Sequence, residues 1–277
     1  VTQHYSMDDV LAAVNEYVQT LNVEGGDFDF RVSKQFHPRR GGNVLRLSSS
    51  GRCGRQMAYE ALYPDESPIP DMKGLNIFML GDVVHDFERF LISQVADLRN
   101  VEQRVHFYVN DDISVAGHSD GTIQLADREV LLDVKTASDS SFKRMLRDGA
   151  PEEYIYQVNA YLHALGLEEG YLWVYNKNDS GRMILPVEKS EAIVEEVKNH
   201  FITVHNSLEK GVLPERKYEP GRTKRKGKET GEEYLHYKCT WCPFVERCWG
   251  PLGFQPVESK GKIRWLRDAS FKLEDII

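Results

Sequence analysis

The stretch "EVLLDVKTA" places an acid and a base inside an otherwise apolar, strand-like run. Asp133 and Lys135 stand two residues apart, so in an extended segment their side chains share one face, while Leu132 and Val134 take the other. A buried carboxylate and a buried ammonium are costly unless paired or bound to a metal. Asp120, in "GHSDGTIQL", adds a second carboxylate on the preceding strand-like segment. Such a set supports metal-assisted hydrolysis. Asp120 and Asp133 would hold Mg2+ or Mn2+, ions that prefer oxygen ligands, and the ion would polarise a phosphate and acidify a bound water. Lys135 would position that water or stabilise charge developing on the phosphoryl oxygens. The competing reading is a structural Asp–Lys pair on a half-exposed strand.

Two helical segments offer partners for this set. In "GDVVHDFE", His85 and Glu88 are spaced i, i+3 and share a helix face, and His85 can supply nitrogen to a Mn2+-tolerant site. In "QVNAY", Gln157 and Tyr161 are spaced i, i+4, suited to contacting a phosphate or orienting Lys135. Each has a plain alternative in a surface histidine or ordinary helix packing.

A second chemistry lies in "YKCTWCPFVERCWG", where Cys239, Cys242 and Cys248 follow a C-x2-C-x5-C spacing. The chain has four cysteines, and the remaining one, Cys53, is far upstream in "SSSGRCGRQMAYEALY". Thiolates so spaced bind Zn2+ tetrahedrally or hold a 4Fe–4S cluster, and spacing alone leaves both open. Just before them, "ERKYEPGRTKRKGKET" crowds Arg216, Lys217, Arg222, Lys224, Arg225, Lys226 and Lys228 together, as a solvated loop or a phosphate-contacting one. Its "GRTKRKGKE" is no phosphate loop: five residues separate the glycines, and Glu follows the lysine where Ser or Thr is needed. No need for a nucleoside triphosphate is expected.

The elements that must position these groups can be read along the chain. Ser6 caps a helix over 6–22, with Asp9 in a capping-box position and a stripe of Val10, Leu11, Val14, Val18 and Leu21. Residues 23–46 read as irregular, and a helix after "LSSS" carries Cys53 in its first turn. A long helix over 76–99 precedes three strands, "EQRVHFYV", "ISVAGHSDGTIQL" and "EVLLDVKTA". A helix through "PEEYIYQVNAYLHALGL" stops at Gly166, "GYLWVYNK" and "RMILPV" read as strands, and an amphipathic helix covers 188–210. The central order is α-β-β-β-α-β. The expected division is an N-terminal helical segment over 1–75, a core over 76–210 and a basic and cysteine-bearing segment over 211–277, integrated as one domain.

With 277 residues and 41% hydrophobic content the chain can bury a sizeable core. A net charge of −8 argues against a non-specific nucleic-acid coat, yet leaves room for acidic metal ligands beside a local basic path. No apolar run is long enough to span a bilayer, and the opening "VTQHYSMDDV" has no signal-peptide pattern. The expected location is cytoplasmic, or host cytoplasm for a viral protein.

The order His85, Asp120, Asp133-x-Lys135, Gln157-x3-Tyr161 on an α-β-β-β-α succession resembles the RecB-type branch of the PD-(D/E)XK nuclease superfamily, over roughly residues 75–176. The resemblance implies an αβββαβ restriction-endonuclease-like core, a mixed sheet flanked by helices. It implies a metal site of His85, Asp120, Asp133 and the carbonyl of Val134, with Lys135 as the catalytic lysine and Gln157 and Tyr161 as the trailing motif. Position 133 is Asp where many relatives have Glu; the family accepts either. One cysteine before the core and three after it resembles the iron–sulfur nucleases of the AddB and CRISPR-adaptation type, which implies a structural 4Fe–4S cluster on Cys53, Cys239, Cys242 and Cys248, with zinc as the alternative. The activity implied is a Mg2+- or Mn2+-dependent exonuclease acting on single-stranded DNA or DNA ends, in end processing or recombination. The alternatives are a flap or junction endonuclease and a catalytically silent DNA-binding scaffold.

Overall fold

The computed structural model describes residues 3–32, 45–66, 71–225, 227–259 and 261–268. Among these the helices are α1 (Met7–Val23), α2 (Gly54–Leu62), α3 (Met72–Val95), α4 (Asp139–Asp148), α5 (Glu152–Leu165), α6 (Glu191–Lys210), α7 (Tyr237–Thr240) and α8 (Val245–Trp249). The strands are β1 (Asp97–Arg99), β2 (Gln103–Tyr108), β3 (Ser114–Ser119), β4 (Gly121–Gln124), β5 (Glu129–Ala137), β6 (Glu169–Asn176), β7 (Arg182–Glu188), β8 (Gly221–Arg225), β9 (Lys228–Tyr234), β10 (Gln255–Ser259) and β11 (Lys262–Asp268). The chain divides into two compact units. The first draws on the described residues up to 52 and on 71–202, the second on 53–66 and those from 203 onward.

The first unit is built on a mixed sheet of order β1-β4-β5-β6-β7, in which β5 and β6 run parallel and the other pairs antiparallel. Alternation along β5 sends Leu132 and Val134 into an apolar cluster with Met7, Val10 and Val14 of α1, Leu91 and Ile92 of α3, and Trp173 of β6. The helices have legible causes. Ser6 and Asp9 form the expected capping box. Gly166, at φ +69°, ends α5 while Leu167 N donates back to the Leu162 carbonyl.

The expected succession of three strands is corrected in one place. The segment "ISVAGHSDGTIQL" is broken at Asp120 into β3 and β4. β3 pairs with β2 in a separate two-stranded hairpin, and β4 enters the main sheet beside β5. Gly121 makes the break possible. Its φ is +152°, and a Cβ there would stand 2.9 Å from Leu98 Cδ1 and 3.1 Å from the Arg99 carbonyl oxygen. The long helix also starts earlier and stops sooner than 76–99, leaving Leu98 on the short edge strand β1. Part of the irregular 23–46 stretch lies outside the described residues; 24–32 forms no helix or strand.

The second unit carries an antiparallel sheet of order β10-β11-β9-β8. Its apolar cluster is Leu235, Val245, Trp249, Phe254 and Trp265, with Cys239, Cys242 and Cys248 packed against it. The basic stretch expected as a loop is here a hairpin of β8 and β9, where Arg222 pairs with Glu229 at 3.1 Å. Alternating charge across the two strands lets an all-polar sequence pair. Cys53 is the N-cap residue of α2, one position before the first turn. No described helix is long and apolar enough to cross a membrane.

Candidate active site

The strand break is what assembles the site. β4 begins at Gly121, opposite Leu132, so Val134 has no ladder partner on that side of β5. Its N–H donates instead to Asp120 Oδ2 at 2.7 Å. A residue in an extended strand points its N–H and C=O the same way, so the Val134 carbonyl opens onto the same edge. His85 Nδ1 on α3 lies 3.4 Å from Asp120 Oδ1. On the far side, Lys135 Nζ is 2.6 Å from Asp133 Oδ2 and donates to Gln157 Oε1 at 3.4 Å, while Gln157 Nε2 donates to Asp133 Oδ1 at 3.2 Å. His85, Asp120, Asp133, Val134, Lys135 and Gln157 are thus drawn into one network.

Tyr161 is placed differently. It is buried, and its hydroxyl donates to the His118 carbonyl at 2.8 Å. That bond braces β3 and leaves Gln157 as the member of the pair that bonds Lys135. Gly117 makes room for it, since a Cβ there would stand 2.5 Å from the Tyr161 hydroxyl. Glu88 also stays out of the network. It is fully buried and takes a two-pronged hydrogen bond from Arg182, at 2.7 and 2.9 Å, and one from Trp173 Nε1 at 2.8 Å. Its task is to tie α3 to β6 and β7.

The electrostatics of the two carboxylates differ. Burial works against Asp120's charge, but the hydrogen bond and charge of His85, with Lys135 and the Val134 N–H, hold its carboxyl below the usual range. Asp133 is pushed up: burial dominates, Lys135 pulls back, and Asp120 adds repulsion. Burial opposes the Lys135 charge, yet Asp133 and Asp120 together raise it above an ordinary lysine. The ammonium is therefore firmly charged at neutral pH. Burial and the two aspartates also raise the Tyr161 phenol, which stays protonated.

One observation bears on metal binding. Asp133 Oδ2 is buried and meets the Lys135 ammonium at 2.6 Å, so the carboxylate is kept beside a positive charge in the site. Among the described residues, no three or more His, Cys, Asp or Glu side chains are grouped so as to hold a metal ion. Mg2+, however, is ordinarily held by one or two carboxylates together with waters and substrate phosphates, without an all-protein cage. The donor set of Asp120, Asp133 and the strand-edge carbonyl fits that mode.

Two neighbours were not foreseen from the sequence. Arg89 is buried and pairs with Asp86 at 2.5 Å and Glu102 at 2.7 Å, with Nη1 3.5 Å from Asp120 Oδ1. Tyr154 lies under Lys135, its ring centroid 5.1 Å from Nζ. Tyr154 also lines a cleft of about 280 Å³ at the C-terminal end of β5, together with Thr136, Ser138, Ser141, Arg144 and Lys177. The carboxyl ends of strands are where open α/β sheets bind ligands.

The four cysteines belong to the second unit and are free thiols. Burial, with Cys53, Cys248 and Cys242 adding to it, pushes the Cys239 thiol up to about 12. Burial, Cys53 and Cys248 push Cys242 up to about 11. Cys248 is raised by burial and partly restrained by Arg216 and Arg55. The thiols therefore lie within one another's electrostatic reach.

No family model and no curated protein matches the chain. Its fold is similar at low score to several solved structures. One is the crystal structure of SSO0001, with a TM-score of 0.47 and 15% identity over 85% of this chain and 91% of that one. Another is the alkaline exonuclease LHK-Exo from Laribacter hongkongensis, at 0.46 and 14% over 61% and 91%. A third is a phage-related exonuclease from Haemophilus somnus 129PT, at 0.38 and 12% over 61% and 94%. At these scores the likeness carries no argument about activity.

Proposed function

We propose that the protein is a divalent-metal-dependent deoxyribonuclease that hydrolyses phosphodiester bonds, working as an exonuclease on single-stranded DNA or DNA ends. The observation that carries this reading is the buried Asp120–Asp133–Lys135 cluster at a strand break, in which Asp120 takes the Val134 N–H and Asp133 pairs with Lys135 at 2.6 Å. Burial, with repulsion from Asp120, raises the Asp133 carboxyl, so carrying its charge there costs stability and points to a use beyond packing. Asp120, Asp133 and the Val134 carbonyl would hold Mg2+ or Mn2+, with His85 beside Asp120 as a nitrogen donor. Such an ion, when bound, supplies charge for the scissile phosphate and lowers the pKa of its water. Lys135, charged and fixed by Asp133 and Gln157, stabilises the anionic phosphate as charge moves onto its oxygens. Gln157 locks that arrangement by bonding both members of the pair.

The cysteine set is proposed to hold a structural 4Fe–4S cluster in the second unit. What supports it is the free thiols of Cys239, Cys242 and Cys248 packed against an apolar cluster, each raised by burial and by its neighbours, Cys53 among them, with Arg216 and Arg55 drawing Cys248 back. A cluster spreads its thiolates around a cube and does not require them to converge on one ion, as zinc does. An absorbance band near ~400 nm in anaerobically purified protein distinguishes iron–sulfur from zinc.

The catalytic reading is tested by degradation of end-labelled DNA with Mg2+ or Mn2+. Wild-type protein releases label and Lys135→Ala does not. Equal rates in the two would remove Lys135 from the chemistry. DNA binding without any wild-type cleavage would favour a scaffold.

A further inference from the structure

The second unit leaves its bulkiest aromatic side chain in water. Of the four tryptophans, Trp173, Trp249 and Trp265 are buried, whereas Trp241 is 84% exposed, in the turn between Cys239 and Cys242. Tyr237 is 54% exposed one turn earlier, and the Trp241 N–H reaches back to the Tyr237 carbonyl at 3.3 Å. The aromatic surface continues through the fold. The His236 ring stacks on Tyr218 with centroids 4.4 Å apart and 8° between planes, and Tyr237 follows at 4.5 Å from His236. Two ammonium groups lie over Tyr218: Lys238 Nζ at 5.7 Å and Lys217 Nζ at 6.0 Å from its centroid. Burial, then Lys238, holds His236 below the ordinary imidazole range, so the ring is neutral at pH 7 and stacks as an uncharged aromatic.

Such a surface costs hydration of large apolar area unless something covers it. Its make-up selects the cover. Flat rings interleaved with lysines match a chain that alternates unpaired bases with phosphates. A protein-docking patch is also rich in Tyr and Trp but depleted of lysine, so it is the two lysines over Tyr218 that select nucleic acid. We propose that the Tyr218–His236–Tyr237–Trp241 surface is a binding site for single-stranded DNA, where bases stack on Trp241 and Tyr237 and Lys217 and Lys238 supply charge for the phosphates. The proposal deepens the reading of DNA as substrate and rests on it. It adds a contact region on the second unit, apart from the residues of the catalytic network. Duplex DNA, whose bases are already stacked, gains nothing from it.

The test measures binding in EDTA, so that it does not depend on cleavage. Fluorescence anisotropy of labelled oligothymidylate and of a labelled duplex is recorded for the wild-type protein, Trp241→Ala and Tyr237→Ala. Trp241→Ala is expected to weaken oligothymidylate binding by about tenfold or more, the scale of one lost base–aromatic stack, and to leave duplex binding unchanged. Tyr237→Ala is expected to weaken it by a smaller factor. Both positions are exposed, so the variants fold, which circular dichroism checks. Wild-type affinity in Trp241→Ala, equal losses on duplex, or no wild-type binding to oligothymidylate would each overturn the proposal. So would a change in oligomeric state with unchanged DNA affinity, which would mark a self-association surface. Cleavage by the wild type that disappears in Lys135→Ala while Trp241→Ala binds normally would sink this inference and leave the catalytic reading standing.

Discussion

Replacing Lys135 by methionine separates the cost of the buried charges from their use. The side chain keeps its length and loses its ammonium. Asp133, with its side chain 6% exposed, is then left near Asp120 with the Gln157 amide as its hydrogen-bond donor. Removing one partner of a buried ion pair costs about 3–5 kcal/mol. The double variant Asp133→Asn with Lys135→Met removes both charges, and neutralising a whole buried pair is near neutral or stabilising by about 1–4 kcal/mol. Urea unfolding in EDTA reads the two directly. The midpoint falls in Lys135→Met and returns to the wild-type value or above in the double variant. The pH dependence has a definite sign. Burial and Asp120 already push the Asp133 carboxyl up against the pull of Lys135, and without that lysine it rises further. A carboxyl raised in the folded state favours folding below its unfolded pKa, and that gain is lost as pH rises through the folded pKa. The deficit of Lys135→Met therefore shrinks as pH is lowered from neutral toward the ordinary carboxylate range. A single variant as stable as wild type at both ends of that range would refute the reasoning.

Three further outcomes follow from the geometry. Gly117→Ala places a Cβ 2.5 Å from the Tyr161 hydroxyl and 2.8 Å from Leu47 Cβ, an overpacking that lowers stability by about 1–3 kcal/mol in urea unfolding; an unchanged midpoint would contradict the close approach. Glu88→Ala strands Arg182 and the Trp173 N–H in a buried site and costs about 3–5 kcal/mol, with Glu88→Gln costing less, read as a drop in Tm. Once any cluster is stripped, Cys239 and Cys242 react with iodoacetamide at pH 8 more slowly than free cysteine, because burial and the neighbouring thiols raise them to about 12 and 11. Rapid labelling of either at pH 8 would show the thiols are not held in that environment.

Much of the first unit was legible because its signals are local and periodic. Period-two alternation placed Asp133 and Lys135 on one face of β5 and Leu132 and Val134 on the other, as the structure has them. The capping box at Ser6 and the stop at Gly166 needed only side-chain chemistry within a few residues. What was missed depends on tertiary context. "SDGTIQ" reads as a continuing strand, and only the crowding at Gly121 against Leu98 and Arg99 shows the chain must change sheets there. α4 buries little beyond Met145 and so offers no apolar stripe. β9 is almost wholly exposed, which makes the basic hairpin look like a loop. Arg89 is hidden inside an apolar helical run, and its burial beside Asp120 becomes visible only when Asp86 and Glu102 are seen to flank it.

The central claim is that Asp120 and Asp133 together bind a divalent ion and hydrolyse DNA with it. The most direct measurement is Mn2+ binding by calorimetry joined to acid-soluble nucleotide release from linear single-stranded DNA, on the wild type, Asp120→Asn and Asp133→Asn. The account predicts Mn2+ binding and nucleotide release in the wild type, EDTA-sensitive release, and loss of both in each variant. Release that persists in Asp133→Asn, or wild-type protein that neither binds Mn2+ nor cleaves, would contradict it.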